Sequence, residues 1–193
     1  MLAQTDTRRK ILELSQDAMR QKGYGGFSYA NIASQLNVKN AAIHYHFPSK
    51  EDLGVTLVQR ERRRFEKWTA RHSIRELDAW GKLDWFLSIY EHYSQGGTRV
   101  CYLGALENNF DALPARLQKE AKGLNSDLLS WLSELLRSGK ESGSFDFAGA
   151  VDTKALLLLS AIQGSLQVAR ANTPDTFYDV MDQIKADLVP AEQ

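Results

Sequence analysis

The residues with the most chemistry to offer stand together in the first quarter of the chain: Lys39, Asn40, Ala41, Ala42, Ile43, His44, Tyr45, His46, Phe47, Pro48, Ser49 and Lys50. If they form a helix of about seven residues, only Ile43 and Phe47, at i and i+4, make an inward pair. The rest of the surface carries Asn40, Ala41, Ala42, His44 and Tyr45. That mixture suits a DNA groove, with an amide for a base edge, small residues for thymine methyls and an aromatic hydroxyl for a phosphate. Lys39 and Lys50 flank it and could neutralise phosphates. His44 and His46 are two apart and fall on different helix faces, whereas a helical metal pair is spaced i, i+4. No metal is expected.

The neighbouring sequence contains what would position such a helix. Ile11, Leu14, Ala18 and Met19 give a first helix near 5–22 one apolar face, and Gly23 stands in the favoured stop position. Ser28 can cap a short second helix, Tyr29 to Leu36, with Ile32, Ala33 and Leu36 inward. Asn37 then supplies a left-handed turn. The third helix, from Lys39 or Asn40 to His46, must end before Pro48, because the residue ahead of proline is pushed out of the helical region. Ser49 caps a fourth helix with Glu51 and Asp52 in its positive first turn, continuing past Arg64 toward His72. Two short helices joined by a tight turn have the outline of a helix-turn-helix.

The stretch Phe27-Ser28-Tyr29-Ala30-Asn31-Ile32-Ala33 through Val38, then Ile43-His44-Tyr45-His46-Phe47-Pro48-Ser49-Lys50-Glu51-Asp52-Leu53, resembles the DNA-binding domain of tetracycline-repressor (TetR) family transcription factors over about residues 8–55. The resemblance implies that Ser28 meets a phosphate at a helix N-terminus. It places Lys39, Asn40, Ala41, Ala42 and His44 in the major groove, Tyr45 and His46 on the backbone, and Lys50 on a phosphate. Two positions depart from the family pattern: Asn37 stands where glycine is usual, and His44 where tyrosine or phenylalanine is usual.

Composition agrees with this division of labour. Residues 1–70 hold 12 Lys+Arg against 7 Asp+Glu, a balance of +5, and residues 71–193 hold 12 against 17, a balance of −5. A basic front on an acidic body suits a polyanionic partner, although an excess of that size also arises by chance. The run Arg60, Arg62, Arg63, Arg64 could touch DNA but reads more simply as a solvated face with Glu61 and Glu66. Four Trp, seven Tyr and eight Phe demand burial, and one cysteine excludes an internal disulfide framework. No secretory segment follows Met1, and the longest apolar run, Ala155 to Ile162, is interrupted by Ser160 and is too short to span a membrane. A cytoplasmic protein without a cofactor is expected.

The expected fold is all-α, with nine or ten helices and no sheet: a helix-turn-helix domain over 1–50, a connecting fourth helix over 50–72, and a helical ligand-binding and dimerisation domain over 73–193. Helical stripes recur at Trp85, Ile89 and Tyr93 and at Leu124, Leu128, Trp131, Leu132 and Leu135, with a break over Ser138 to Ser144. Thr153 to Ala171 is apolar almost all round, and Phe177, Val180, Met181, Ile184 and Leu188 stripe a last helix.

Palindromic DNA sites are read by two-fold dimers, so a homodimer is expected, through Leu157, Ala161, Gly164, Ser165, Val168, Phe177, Val180, Met181 and Ile184. An ordinary monomer core is the competing reading of those residues. The resemblance further implies a pocket for a small-molecule effector. Trp85, Tyr90, Tyr93, Cys101, Tyr102, Phe110, Trp131 and Gln163 are its candidate lining, though each serves as readily in a core. Cys101 follows a Gly96-Gly97 break and lies near Arg99, at what reads as a helix start, conditions that favour a thiolate. Its segment resembles that of family members that sense electrophiles and oxidants; inert packing is the competing reading.

No nucleophile elbow, phosphate loop or metal-ligand cluster is present, so an enzyme is not expected. A helical module that binds only other proteins is the remaining class, and it leaves the residues from Lys39 to Lys50 without a purpose. The sequence thus points to a DNA-binding regulator, most simply a repressor released from operator DNA by a small molecule.

Overall fold

The computed structural model describes residues 2–94 and 101–189, and among them every regular element is helical. Ten α-helices follow one another: α1 (Leu2–Lys22), α2 (Tyr29–Leu36), α3 (Asn40–His46), α4 (Lys50–Thr69), α5 (His72–Arg75), α6 (Ala79–Ser94), α7 (Tyr102–Glu107), α8 (Ala115–Glu141), α9 (Val151–Ala171) and α10 (Asp175–Ala186). The chain forms two compact units, one of residues 1–64 with 102–124 and one of 65–101 with 125–193.

The first unit is assembled by local signals. Gly23 stops α1 at a φ of 70°, where a side chain would be strained. Ser28 caps α2 in a reciprocal pair with Asn31, and Asn37 adopts the left-handed conformation at φ 53°. The Asn37 turn closes α2 through the Val38 N–H, which donates to the Ala33 carbonyl at 3.0 Å. Ile11, Met19, Ile32, Ile43 and Phe47 are almost wholly buried, so α1, α2 and α3 share one core. Ser49 opens α4 by accepting from the Asp52 N–H at 3.1 Å and donating to its carboxylate at 2.7 Å. The Ser49 hydroxyl, with Arg116 beside it, holds the Asp52 carboxyl below its ordinary range.

Arg62 departs from the expected solvated face. It reaches Glu120 of α8 at 3.2 Å, and Gln59 donates to the same carboxylate at 2.9 Å. Glu61, in turn, accepts from Gln16 of α1 and pairs with Arg64. One side of the arginine run therefore ties α4 to α1 and α8, while Arg63 and Arg64 stay exposed.

The second unit has an aromatic centre. Trp68 stacks on Trp85 with ring centroids 4.0 Å apart, and Phe86 stacks on Trp131 at 5.1 Å. Phe65 joins at 5.5 Å from Trp68, and α9 and α10 close around a second set of buried side chains, Leu158, Leu159, Ile162 and Phe177. Two boundaries differ from expectation. Helix α4 ends at Thr69, where the Arg71 N–H turns back to the Trp68 carbonyl, so His72 starts a separate turn of helix. Helix α8 continues through Gly139 to Glu141, because Gly139 is where the Phe145 ring packs directly onto the helix: a Cβ there would lie 2.1 Å from it.

The expected dimer surface divides into two sets. Ser165, Phe177, Met181 and Ile184 are buried within the chain itself, since α9 and α10 cover each other there. They are core, which corrects their assignment to a partner surface. Leu157 and Val168 stay more than half exposed, with Ala161, Gly164 and Val180 partly so.

Candidate nucleic-acid interface

Only one side of α3 is covered. Ile43 is completely buried and Phe47, one turn on, is 2% exposed. Asn40, Ala41, His44 and Tyr45 are exposed, and Ala42 and His46 are half-buried between the two faces. The four exposed residues span roughly 140° of the helix circumference, with His44 and Ala41 in the middle. Tyr45 at 71% exposure has nothing to bury against, which is unusual for so large a ring. Its ring meets His46 edge-on at 5.1 Å.

The covered side is held from α2. The Tyr29 hydroxyl donates to the Phe47 carbonyl at 2.9 Å, across the end of α3. Burial, helped by the negative charge of Asp52, pushes that hydroxyl up to about 12. A raised phenol supports the folded state fully below its unfolded value of about 10 and loses that support as pH rises through about 12, so this strut holds throughout the neutral range. The Arg8 guanidinium lies 5.0 Å from the centre of the Phe47 ring.

The flanking residues are placed less uniformly. Lys39 is exposed at the cap position of α3. Ser28 is exposed at the start of α2, but its hydroxyl donates to the Asn31 side chain at 2.7 Å. The Lys50 ammonium lies 4.7 Å from the Tyr24 ring centre and 4.6 Å from that of Phe27, and burial lowers its proton affinity. Sequence reading assigned Lys50 a phosphate and missed this aromatic clamp, although Tyr24 and Phe27 were the signal. Lys50→Ala is expected to lower the unfolding free energy by about 1 kcal/mol in a urea titration, the worth of a partly desolvated cation over aromatic faces. An unchanged urea midpoint would show that the clamp contributes nothing.

The residues expected to line a pocket are divided between the two units. Tyr102 and Phe110 belong to the first unit, whereas Trp85, Tyr90, Tyr93, Cys101, Trp131 and Gln163 belong to the second. Trp85 is occupied by ring stacking, and Tyr90 is buried against Phe86 at 5.3 Å. Large rings satisfy their need for burial by packing on each other. Trp131 lines a cleft of about 260 Å³ in the second unit, together with Ile74, Arg75, Lys82, Glu134 and Leu135. The Gln163 Nε2 and Ser94 Oγ atoms are buried with no hydrogen-bond partner among the described residues. Cys101 is 4% exposed, which withholds its sulfur from reagents in solution, and the Gly96-Gly97 break and Arg99 lie outside the described residues.

Comparison with known proteins bears on both units. Residues 11–54 match the family described as bacterial regulatory proteins, tetR family. A TetR-family transcriptional regulator from Agrobacterium tumefaciens is 25% identical, with a TM-score of 0.90 over 97% of this chain and 100% of its own. A TetR transcriptional regulator from Legionella pneumophila is 28% identical, with a TM-score of 0.79 over 93% and 95%. A protein from Saccharomonospora viridis, described as a transcriptional regulator in complex with choline, shares the fold at 23% identity and a TM-score of 0.75 over 97% and 100%. No protein of curated function matches the chain.

Proposed function

Because the chain belongs to the tetR family of bacterial regulatory proteins, with a fold built for DNA-binding transcriptional regulation, we propose that it is a homodimeric repressor released from a palindromic operator by a small molecule. The observation that carries the reading is the exposed polar arc of α3, which no other described element covers. In this reading α3 enters the major groove. Asn40, Ala41, Ala42 and His44 meet base edges there, Tyr45 and His46 meet the backbone, and Lys39, Ser28 and Lys50 lie beside phosphates.

The unpartnered stripe on α9 supports the dimer. Leu157, Ala161, Gly164 and Val168 recur at i, i+4, i+7 and i+11 and form an apolar strip that no other described residue covers. Gly164 has open space where a Cβ would stand, room for the close approach of a second helix. Val180 of α10, partly exposed, is assigned to the same interface. The orphaned Gln163 and Ser94 atoms support a ligand in the second unit, since a buried polar atom without a partner calls for one. The choline bound by the Saccharomonospora viridis protein is a precedent for small-molecule binding in this fold. Helix α4 belongs to both units, so a ligand that favours one disposition of α4 would change the spacing of the two α3 helices. Among the described residues no helix is long and apolar enough to cross a membrane, and the reading places the protein in the cytoplasm.

The test is fluorescence anisotropy on duplexes tiled across the DNA upstream of the protein's own gene, at one fixed salt concentration. The reading expects at least one duplex to bind about a thousandfold more tightly than its scrambled version, the low end of specific recognition. Equal affinity for every upstream duplex and its scramble would contradict it.

A further inference from the structure

Among the exposed residues of α3, His44 has one ring atom already committed. Its Nδ1 lies 3.2 Å from the Pro48 carbonyl oxygen, just beyond the helix. A carbonyl only accepts, so the contact requires the proton on Nδ1. The ring is also braced edge-on against Tyr29 at 4.7 Å, and Tyr29 is itself pinned by its hydroxyl bond to the Phe47 carbonyl. Orientation and tautomer are thus both fixed from the covered side. A neutral imidazole with its proton on Nδ1 has a bare lone pair on Nε2, and in this structure Nε2 has no partner among the described residues. The atom that His44 offers outward is an acceptor.

We propose that His44 sets base preference by accepting from amino groups in the major groove, so that it selects adenine or cytosine over guanine or thymine on the strand it faces in each half-site. The inference rests on the proposed reading of α3 as a groove-entering helix and adds to it which bases are chosen. Adenine N6 and cytosine N4 present donors in the major groove, whereas guanine O6 and N7 and thymine O4 present only acceptors. Against a keto base the two lone pairs would face each other, leaving both unsatisfied. Tyrosine or phenylalanine, the residue types usual here in the resembling family, imposes no such demand: a phenol can donate as well as accept, and a phenyl ring does neither. Asn40 lies next to His44 on the same arc, and its amide both donates and accepts, so it reads a different position.

The experiment is selection of bound duplexes from a pool with a randomised core of about 20 base pairs, two turns of DNA. It is run at pH 8 with the native chain, His44→Phe, His44→Arg and Asn40→Ala. The native chain should enrich adenine or cytosine at two symmetric positions by about three- to tenfold, the worth of one hydrogen bond. His44→Phe should flatten those two positions alone, His44→Arg should turn them to guanine, and Asn40→Ala should relax other positions and leave these. His44 is exposed, so helical content measured for each variant should match the native chain. A His44→Arg selection whose guanine falls on the strand opposite the adenine or cytosine chosen by the native chain would overturn the proposal, as would a His44→Phe selection identical to the native one. Failure of the native chain to enrich any sequence is a distinct outcome and would overturn the repressor reading along with it.

Discussion

Replacing Leu157 and Val168 together by aspartate is expected to turn a two-chain protein into a one-chain protein and to lower operator affinity by about a thousandfold or more. Both side chains are more than half exposed on α9, at 58% and 54%. Aspartate at such positions should leave the fold of a single chain within about 0.5 kcal/mol of the native one. In an interface the same carboxylates would lose water with no cation in place, and the aspartates of one chain would meet those of the other, because a two-fold contact pairs a patch with itself. The DNA effect follows from the geometry of reading. One α3 offers only a few base contacts, and joining two in one rigid body makes the second docking step intramolecular. Analytical ultracentrifugation and anisotropy on the same sample check both halves. A double variant that stays two-chain and binds DNA as the native protein does would move the interface away from α9.

Phe47→Ala is expected to destabilise the first unit by about 3–5 kcal/mol, the usual loss for truncating a fully buried aromatic ring. Phe47 is the residue on which the short elements converge. Its ring is 2% exposed, its N–H donates to the Ile43 carbonyl at the end of α3, and its own carbonyl accepts from Tyr29. With total stabilities of about 5–15 kcal/mol, a loss of this size removes much of the margin. The thermal midpoint followed by helical circular dichroism should fall by about 10 °C. DNA binding should fall with the folded fraction rather than with any lost contact, because Phe47 faces away from the exposed arc. A midpoint within a degree or two of native would mean that the ring is not the anchor its burial indicates.

The parts of the fold that could be read from sequence are those fixed by neighbours in the chain. Helix α2 runs from Tyr29 to Leu36 as expected, because the Ser28 cap and the Asn37 turn act within four residues. Helix α3 stops before Pro48 for an equally local reason. The end of α4 was not legible, since Ala70 and Arg71 carry no stop signal and the ring stack around Trp68 is formed by residues far along the chain. Periodicity found the apolar faces of α9 and α10 but not what covers them. Phe177 and Leu157 look alike in a sequence, yet among the described residues one is buried and the other more than half exposed. For the aromatic residues of the second unit, sequence does not separate lining from filling, because a ring that could line a cavity can equally pack on another ring, as Trp85 does on Trp68. For α3 the polar arc was legible as a set, but the tautomer of His44 depends on where the Pro48 carbonyl points.

Two copies of α3 are expected to sit in successive major grooves on one face of DNA. Methylation interference with dimethyl sulfate tests this most directly, because the reagent marks guanine N7 in the major groove and adenine N3 in the minor groove. On an upstream duplex that the protein selects, interference is expected from guanine N7 methylation in two symmetric patches whose centres lie about one helical turn apart. Interference confined to adenine N3, or a single unpaired patch, would contradict the account.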